Sequence, residues 1–163
     1  MEKFNIYISE IKTLKFKRIA RFIDLDHYSS IRSGYPAELD NLQMHALSDL
    51  ETLSDEKIQC HLTLLHQQEE LFSHFDQYYP ELFMHAQNGT LLKDELLEYL
   101  NPIFDDIRLD DDVTSVYSII GIYSIILTKQ NSIISLRNKT EDLLLERSLG
   151  QQEVNTLQFI SPP

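Results

Sequence analysis

Glycine and proline are scarce in this chain, with four and five residues among 163. All-β folds need many tight turns and therefore many such residues, whereas helical folds need few. Hydrophobic residues make up 42% of the chain and charged residues 25%, which excludes a disordered polar chain and suffices for a real core. The composition predicts an all-α fold, a single-domain bundle of about 5–7 helices over residues 1–163.

Cysteine is nearly absent as well. Cys60 is the only one, so no intrachain disulfide can form, and we expect a buried or half-buried thiol because free cysteine packs like a small apolar side chain. No stretch resembles a secretory signal. The longest run without a charged residue, 113 to 128, is shorter than a membrane span and carries several hydroxyl groups. We therefore expect a cytoplasmic protein that binds no membrane.

Recognisable catalytic patterns are missing too. The sequence contains no Ser-His-Asp, Cys-His, P-loop or GxGxxG pattern, and its glycines are too dispersed to cradle a phosphate. The stretch DDIRLDDD, residues 105 to 112, lacks the glycine of a calcium loop. It is loosely similar to the DDxxD motif of prenyl-transferring helical enzymes, but a second acidic motif is missing. We expect neither enzyme activity nor a bound cofactor.

One helix face carries potential metal ligands. His66, Glu70 and His74 are spaced four residues apart, but they lie opposite the apolar face and so face water. We interpret them as a solvated face and expect no metal site. Glu69 falls within the apolar arc of the same helix, where a carboxylate needs a partner. Lys15 or Arg18 is the predicted partner.

Apolar spacing and capping residues predict most of the helices. The first covers residues 4 to 23, although the alternation of Leu14 and Phe16 leaves a strand open there. The others are, in order, a helix from Pro36 through Leu53, one from 55 to 79 capped by Ser54 and stopped or kinked by Pro80, a short one to Gln87 ended by Gly89, one capped by Thr90 through Leu100, and a last one from Lys139 or Thr140 to Leu149 capped by Gly150.

Residues 113 to 128 allow two structures. β-branched residues fill nine of these sixteen positions, which favours a strand. The run is nevertheless far longer than a typical strand of about 5–6 residues and contains no turn. Its apolar side chains surround a helical projection, which is typical of a central helix. We predict a buried central helix near 113–134, with Asp110, Asp111 and Asp112 at its start and one of them as its cap.

Charge is sorted along the chain. Residues 1 to 21 hold six bases against two acids, residues 22 to 112 hold 20 acids against four bases, and the remainder is balanced, for a net charge of −12. Such a field repels nucleic acid and anionic membranes and attracts basic surfaces. Folding does not require all the aspartates of 105 to 112. The predicted partner-binding residues are Asp105, Asp106, Asp110, Asp111 and Asp112, with Glu70 and Asp76 as further candidates.

A small acidic domain with no catalytic signature and no secretion signal is similar in general character to the bacterial immunity proteins that neutralise toxins. The resemblance implies a one-to-one cytoplasmic complex with a basic toxin or nuclease domain, without turnover. The negative charge, in turn, predicts no direct nucleic-acid binding. Two alternatives stay open. One is a structural or adaptor module with a hydrophobic groove, and the other is a DNA-mimic inhibitor. The patterns do not determine the oligomeric state.

Overall fold

The computed structural model describes residues 1–16 and 34–160, with side chains up to Gln151. Those residues form five helices and two short strands. In chain order they are α1 (Glu2–Ile11), β1 (Thr13–Phe16), α2 (Tyr35–Glu51), α3 (Asp55–Gln87), α4 (Lys93–Leu100), β2 (Asp106–Leu109) and α5 (Val116–Ile160). The predicted all-α bundle is confirmed, with a small parallel sheet added to it.

The central helix of the bundle is α5. Helices α2 and α3 pack against it, and α1 packs in turn against α2. Its buried face carries apolar residues at helical spacing, namely Ile119, Ile122, Ile126, Ile133 and Leu136. The prediction of a central helix rather than a strand is confirmed. The outer side is less enclosed than predicted, because Tyr117, Ile120 and Leu127 are exposed.

The first predicted helix is only partly correct. Helix α1 ends at Ile11, and β1 then pairs in parallel with β2, placing Thr13 opposite Asp106 and Phe16 opposite Leu109. Leu14 and Phe16 are buried while Lys15 between them is exposed, so the period of two decides the local structure. Residues 17 to 23 of the predicted helix lie outside the described residues.

Helix α3 is longer than predicted. Ser54 caps it as expected, accepting a hydrogen bond from the Lys57 amide at 3.4 Å. Of the two predicted outcomes at Pro80, a stop or a kink, the stop is wrong, because Pro80 lies inside one helix that continues to Gln87. Phe75 and Leu82 are buried on the two sides of Pro80. Their burial offsets the backbone hydrogen bond that a proline forfeits.

The connection from α3 to α4 was predicted in part. Gly89 adopts a φ of 70°, the left-handed conformation expected of a residue that ends a helix. Thr90 does not cap α4. Its hydroxyl group donates instead to the carbonyl of His85 at 3.2 Å, at the end of α3. Leu92 precedes α4 and provides no side-chain cap.

The start of α5 also differs from the prediction. Ser115, and none of the three aspartates, caps it, since the Ser115 hydroxyl accepts a hydrogen bond from the Ser118 amide at 3.2 Å. The predicted last helix is not separate. Helix α5 is continuous and contains Gly150. Leu136 and Thr140 are both fully buried, so the inward face continues through the predicted break.

The single cysteine of the chain lies on the surface. Cys60 is exposed, and the predicted burial of its thiol is wrong.

By length and composition alone, the segment Val116–Gln151 of α5 could cross a membrane. Half of its most apolar window is buried inside the protein, and core helices have the same length and composition, so no membrane span follows from this pattern.

Candidate protein-binding surface

The acidic segment, residues 93–112, runs from the start of α4 through β2 to the loop before α5. It holds eight acidic side chains and only two basic ones, Lys93 and Arg108. Lys93 Nζ lies 3.0 Å from Asp111 Oδ1. This ion pair brings the start of α4 and the loop before α5 together.

Three of the five predicted aspartates have a cation of the same chain beside them. The Asp105 carboxylate lies 3.8 Å from Lys12 Nζ, Asp106 lies 3.3 Å from Arg108 Nε, and Asp111 pairs with Lys93. Asp110 and Asp112 also take part in interactions of their own. The excess of negative charge at 105 to 112 is therefore smaller than the sequence suggests.

These ion pairs are nevertheless exposed. The side chains of Asp105 and Asp111 have relative exposures of 78% and 104%, and that of Arg108 has 60%. An ion pair in water contributes only about 0–1 kcal/mol to stability. The carboxylates can consequently exchange their present cations for those of a partner at little cost.

Helix α4 contributes acids that the sequence analysis did not select. Asp94, Glu95 and Glu98 form no ion pair with any residue in the described part of the chain, and Asp94 and Glu98 are exposed. Asp94 and Glu98 are four residues apart and so share one face of the helix. The sequence shows this spacing, but the prediction chose the aspartates of 105 to 112 because they are more closely spaced.

A cleft of about 320 Å³ lies between α3 and α4, and we refer to it as the Tyr–Glu cleft. Its walls are His74 and Tyr78 from α3 and Glu98 and Tyr99 from α4. Its apolar floor consists of Leu71, Phe75 and Ile103. The centroids of the Tyr78 and Tyr99 rings are 5.0 Å apart, and those of His74 and Tyr78 are 4.9 Å apart. The sequence alone did not indicate this cleft, because its two walls come from separate helices.

The Tyr–Glu cleft lies in a negative environment. Partial burial raises the pKa of the Tyr99 phenol, and the nearby charges of Glu81, Glu95 and Glu98 raise it further. These three carboxylates come from both helices that form the cleft. A positively charged group is therefore favoured here.

The predicted water-facing stripe of α3 is confirmed. His66, Glu70 and His74 are exposed and line an open groove of about 510 Å³ toward α5. No group of three or more histidine, cysteine, aspartate or glutamate side chains suited to a metal occurs in the part of the chain that the structure describes. Glu70 has no ion pair with any of those residues.

Glu69 is paired as predicted, but with a different residue. Arg137 of α5 binds both of its carboxylate oxygens, and the Arg137 NH2 group lies 3.1 Å from Glu69 Oε1. The predicted partner Lys15 is wrong, and Arg18 lies outside the described residues. Arg137 also contacts Glu141 of α5 at 3.2 Å, so the Glu69–Arg137 pair that joins α3 to α5 belongs to a charge network.

Asp76 lies between α3 and α5. Its two carboxylate oxygens accept hydrogen bonds from the Tyr123 hydroxyl at 2.8 Å and from the Gln130 side-chain amide at 2.9 Å. Both bonds hold the two helices together. Asp76 accordingly has a structural role that the sequence did not reveal, and it is the least available of the predicted partner-binding residues.

A buried polar cluster lies where α1, α2 and α5 meet. The Lys129 ammonium group donates to the Glu10 carbonyl and to the Tyr35 hydroxyl, the latter at 2.7 Å, and its side chain is 2% exposed. Burial lowers the pKa of Lys129 to about 8, and the charge of Glu10 opposes this shift. Tyr35 in turn donates to Glu10 Oε1 at 2.9 Å. These hydrogen bonds join the three helices.

No family model, no curated protein and no solved structure matches this chain.

Proposed function

We propose that this chain is a non-enzymatic protein that binds a basic protein and neutralises it one to one in the cytoplasm, as bacterial immunity proteins do. The basic partner we favour is a toxin or nuclease domain. The observation that carries the proposal is the net charge of the acidic segment, where eight acids and two bases lie within residues 93–112.

The arrangement of these charges supports rapid association. The acidic segment is joined end to end through the Lys93–Asp111 pair, and the acids of α4 have no ion pair within the described residues. A surface of one sign attracts a partner of the opposite sign before contact and raises the association rate. The proposal therefore predicts fast, salt-dependent binding to a basic protein.

The function is tested by binding kinetics with the product of the neighbouring gene, which the proposal predicts to be a basic protein. The exposed Cys60 on α3 carries a fluorescent label, and stopped-flow mixing measures the association rate at low and high salt. In the test variant Asp105, Asp106, Asp110, Asp111 and Asp112 are changed to Asn. We expect association about tenfold slower at low salt and a weaker salt dependence.

A matched control has the same change in net charge elsewhere. Its five substitutions, all at exposed acids outside the acidic segment, are Glu2→Gln, Asp40→Asn, Glu51→Gln, Glu56→Gln and Asp142→Asn. We expect a much smaller loss of association rate than in the test variant. Equal losses of association rate in the two variants would mean that net charge alone, and not the acidic segment, sets the rate. The absence of any complex with the neighbouring gene product would overturn the proposal. Salt-insensitive binding would indicate an adaptor with an apolar groove.

A further inference from the structure

The Tyr–Glu cleft has the size and shape of a receptor for one side chain. Its volume of about 320 Å³ is near the lower end of ligand pockets, which measure roughly 300–1,000 Å³. The floor of Leu71, Phe75 and Ile103 is apolar, and the polar groups are at the walls. A side chain with a long apolar stem and a polar end fits this distribution.

The walls favour a planar cation. Tyr78 and Tyr99 both line the cleft, and their rings contact each other, with centroids 5.0 Å apart and an angle of 39° between the rings. A planar cation therefore stacks on the outer side of this tyrosine pair and not between the two rings. A guanidinium group stacks on tyrosine faces and is less strongly hydrated than the ammonium group of lysine. Glu98 supplies a carboxylate on the same wall as Tyr99, and it forms no ion pair with a described residue.

The groove on the other side of α3 does not have these properties. It is larger, about 510 Å³, but Arg137 is one of its lining residues. Arg137 already occupies both carboxylate oxygens of Glu69 and also contacts Glu141. A second cation there meets a positive charge and a carboxylate that is already bound. The two grooves share His74, and each has one acid without an ion pair among the described residues, Glu70 in the larger groove and Glu98 in the Tyr–Glu cleft. Tyrosine rings line the Tyr–Glu cleft and not the larger groove.

We propose that the Tyr–Glu cleft binds an arginine side chain of the basic partner, stacked against Tyr78 and Tyr99 and hydrogen-bonded to Glu98. This inference rests on the proposed function and assigns the partner's anchoring group. The acidic segment then speeds the encounter, while the cleft holds the complex and slows its dissociation.

The cleft is tested directly with capped glycine-flanked tripeptides whose central residue is arginine, lysine or citrulline. Amide chemical shifts of the whole ¹⁵N-labelled chain follow each titration. We expect saturable shifts at Tyr78, Glu98 and Tyr99 with the arginine peptide, binding weaker by about threefold or more with lysine, and no binding with neutral citrulline. Citrulline binding equal to arginine, or shifts restricted to residues 105 to 112, would overturn the inference.

Substitutions separate the ring and the carboxylate. Glu98→Gln and Tyr99→Leu should each weaken the arginine peptide by about three- to tenfold. Tyr99→Phe keeps the ring face and should bind like the wild type, which excludes a general loss of structure. Glu56→Gln on the first turn of α3 has the same change in charge and should have no effect. An equal loss in Glu56→Gln contradicts the inference.

The partner experiment distinguishes this inference from the proposed function. Should Glu98→Gln dissociate from the basic protein at the wild-type rate while the five-aspartate variant associates slowly, the cleft is not the anchor and the proposed function stands. A several-fold faster dissociation of Glu98→Gln supports both. Without any complex, the proposed function fails, and the peptide titration alone decides whether the cleft accepts arginine.

Discussion

Lys93 and Lys129 each lie near a carboxylate, but in opposite environments. The Lys93 side chain is 32% exposed and its partner Asp111 is fully exposed, whereas Lys129 is 2% exposed and also bonds to a carbonyl and a tyrosine hydroxyl. Water competes for the first pair and is excluded from the second. The exposed Lys93 can therefore exchange its carboxylate partner, whereas the contacts of the buried Lys129 are fixed.

A second set of hydrogen bonds joins the same three helices. The Tyr7 hydroxyl lies 2.6 Å from Ser132 Oγ, and the Gln43 side-chain amide donates to the Ser132 carbonyl at 2.9 Å. Lys139 donates to Gln43 Oε1 at 2.8 Å. Three helices therefore share one hydrogen-bond network. Tyr7, Gln43 and Ser132 are buried, and a buried polar group left without a partner costs about 1–3 kcal/mol.

The largest effect is expected for Lys129→Ala. The substitution leaves a cavity in the place of a long buried stem and removes the donor to the Glu10 carbonyl and the Tyr35 hydroxyl. We expect the free energy of unfolding to fall by about 2–4 kcal/mol in urea titrations. Lys57→Ala, at an exposed position of α3, is the control. A loss no larger than that of Lys57→Ala would show that the two environments do not differ.

A pH titration sharpens the comparison. Because the pKa of Lys129 is about 8 in the fold and 10.5 without it, the unfolded chain binds more protons between these values. The free energy of unfolding should accordingly rise by about 2 kcal/mol from pH 7 to pH 10. Above pH 10 the trend reverses, because burial raises the pKa of Tyr7 and raises that of Tyr123 to about 12, so the fold keeps protons that the unfolded chain loses.

Lys129→Met isolates the contribution of this lysine. The substitution keeps most of the volume and removes the titrating group. We expect the rise between pH 8 and pH 10 to disappear while the fall above pH 10 persists. A rise of undiminished size in Lys129→Met would assign the pH dependence to other groups.

The smallest effect is expected in the acidic segment. Lys93→Ala removes the cation beside Asp111 and should change the free energy of unfolding by less than about 1 kcal/mol, and less still at high salt. Chemical denaturation at two salt concentrations measures it. A loss as large as that of Lys129→Ala would mean that the surface pair is needed for folding, and that the carboxylates of the acidic segment are less free to meet a partner.

Contacts between residues far apart in the chain were the hardest to predict. Glu69 needed a partner by local reasoning alone, yet Arg137 is 68 positions away and lies within a break that was predicted and does not exist. A strand at Leu14 and Phe16 was left open as an alternative. Its partner strand, Asp106–Leu109, was not predicted because Asp106 and Arg108 make that stretch look like a charged loop. Cys60 was expected to be buried or half-buried and is exposed. The identity of one residue, without its neighbours in space, is a poor guide to its burial.

The sequence by itself determined the helical class, the central helix, the caps at Ser54 and Gly89, and the excess of acid in the middle of the chain. These follow from apolar periodicity, backbone preferences and counting, which are properties of neighbouring residues. Only the tertiary structure decided which carboxylates have partners, where Lys129 is buried, and that Tyr78 and Tyr99 form one cleft with Glu98. Such contacts join helices far apart in the chain, and no local pattern encodes the distance between them.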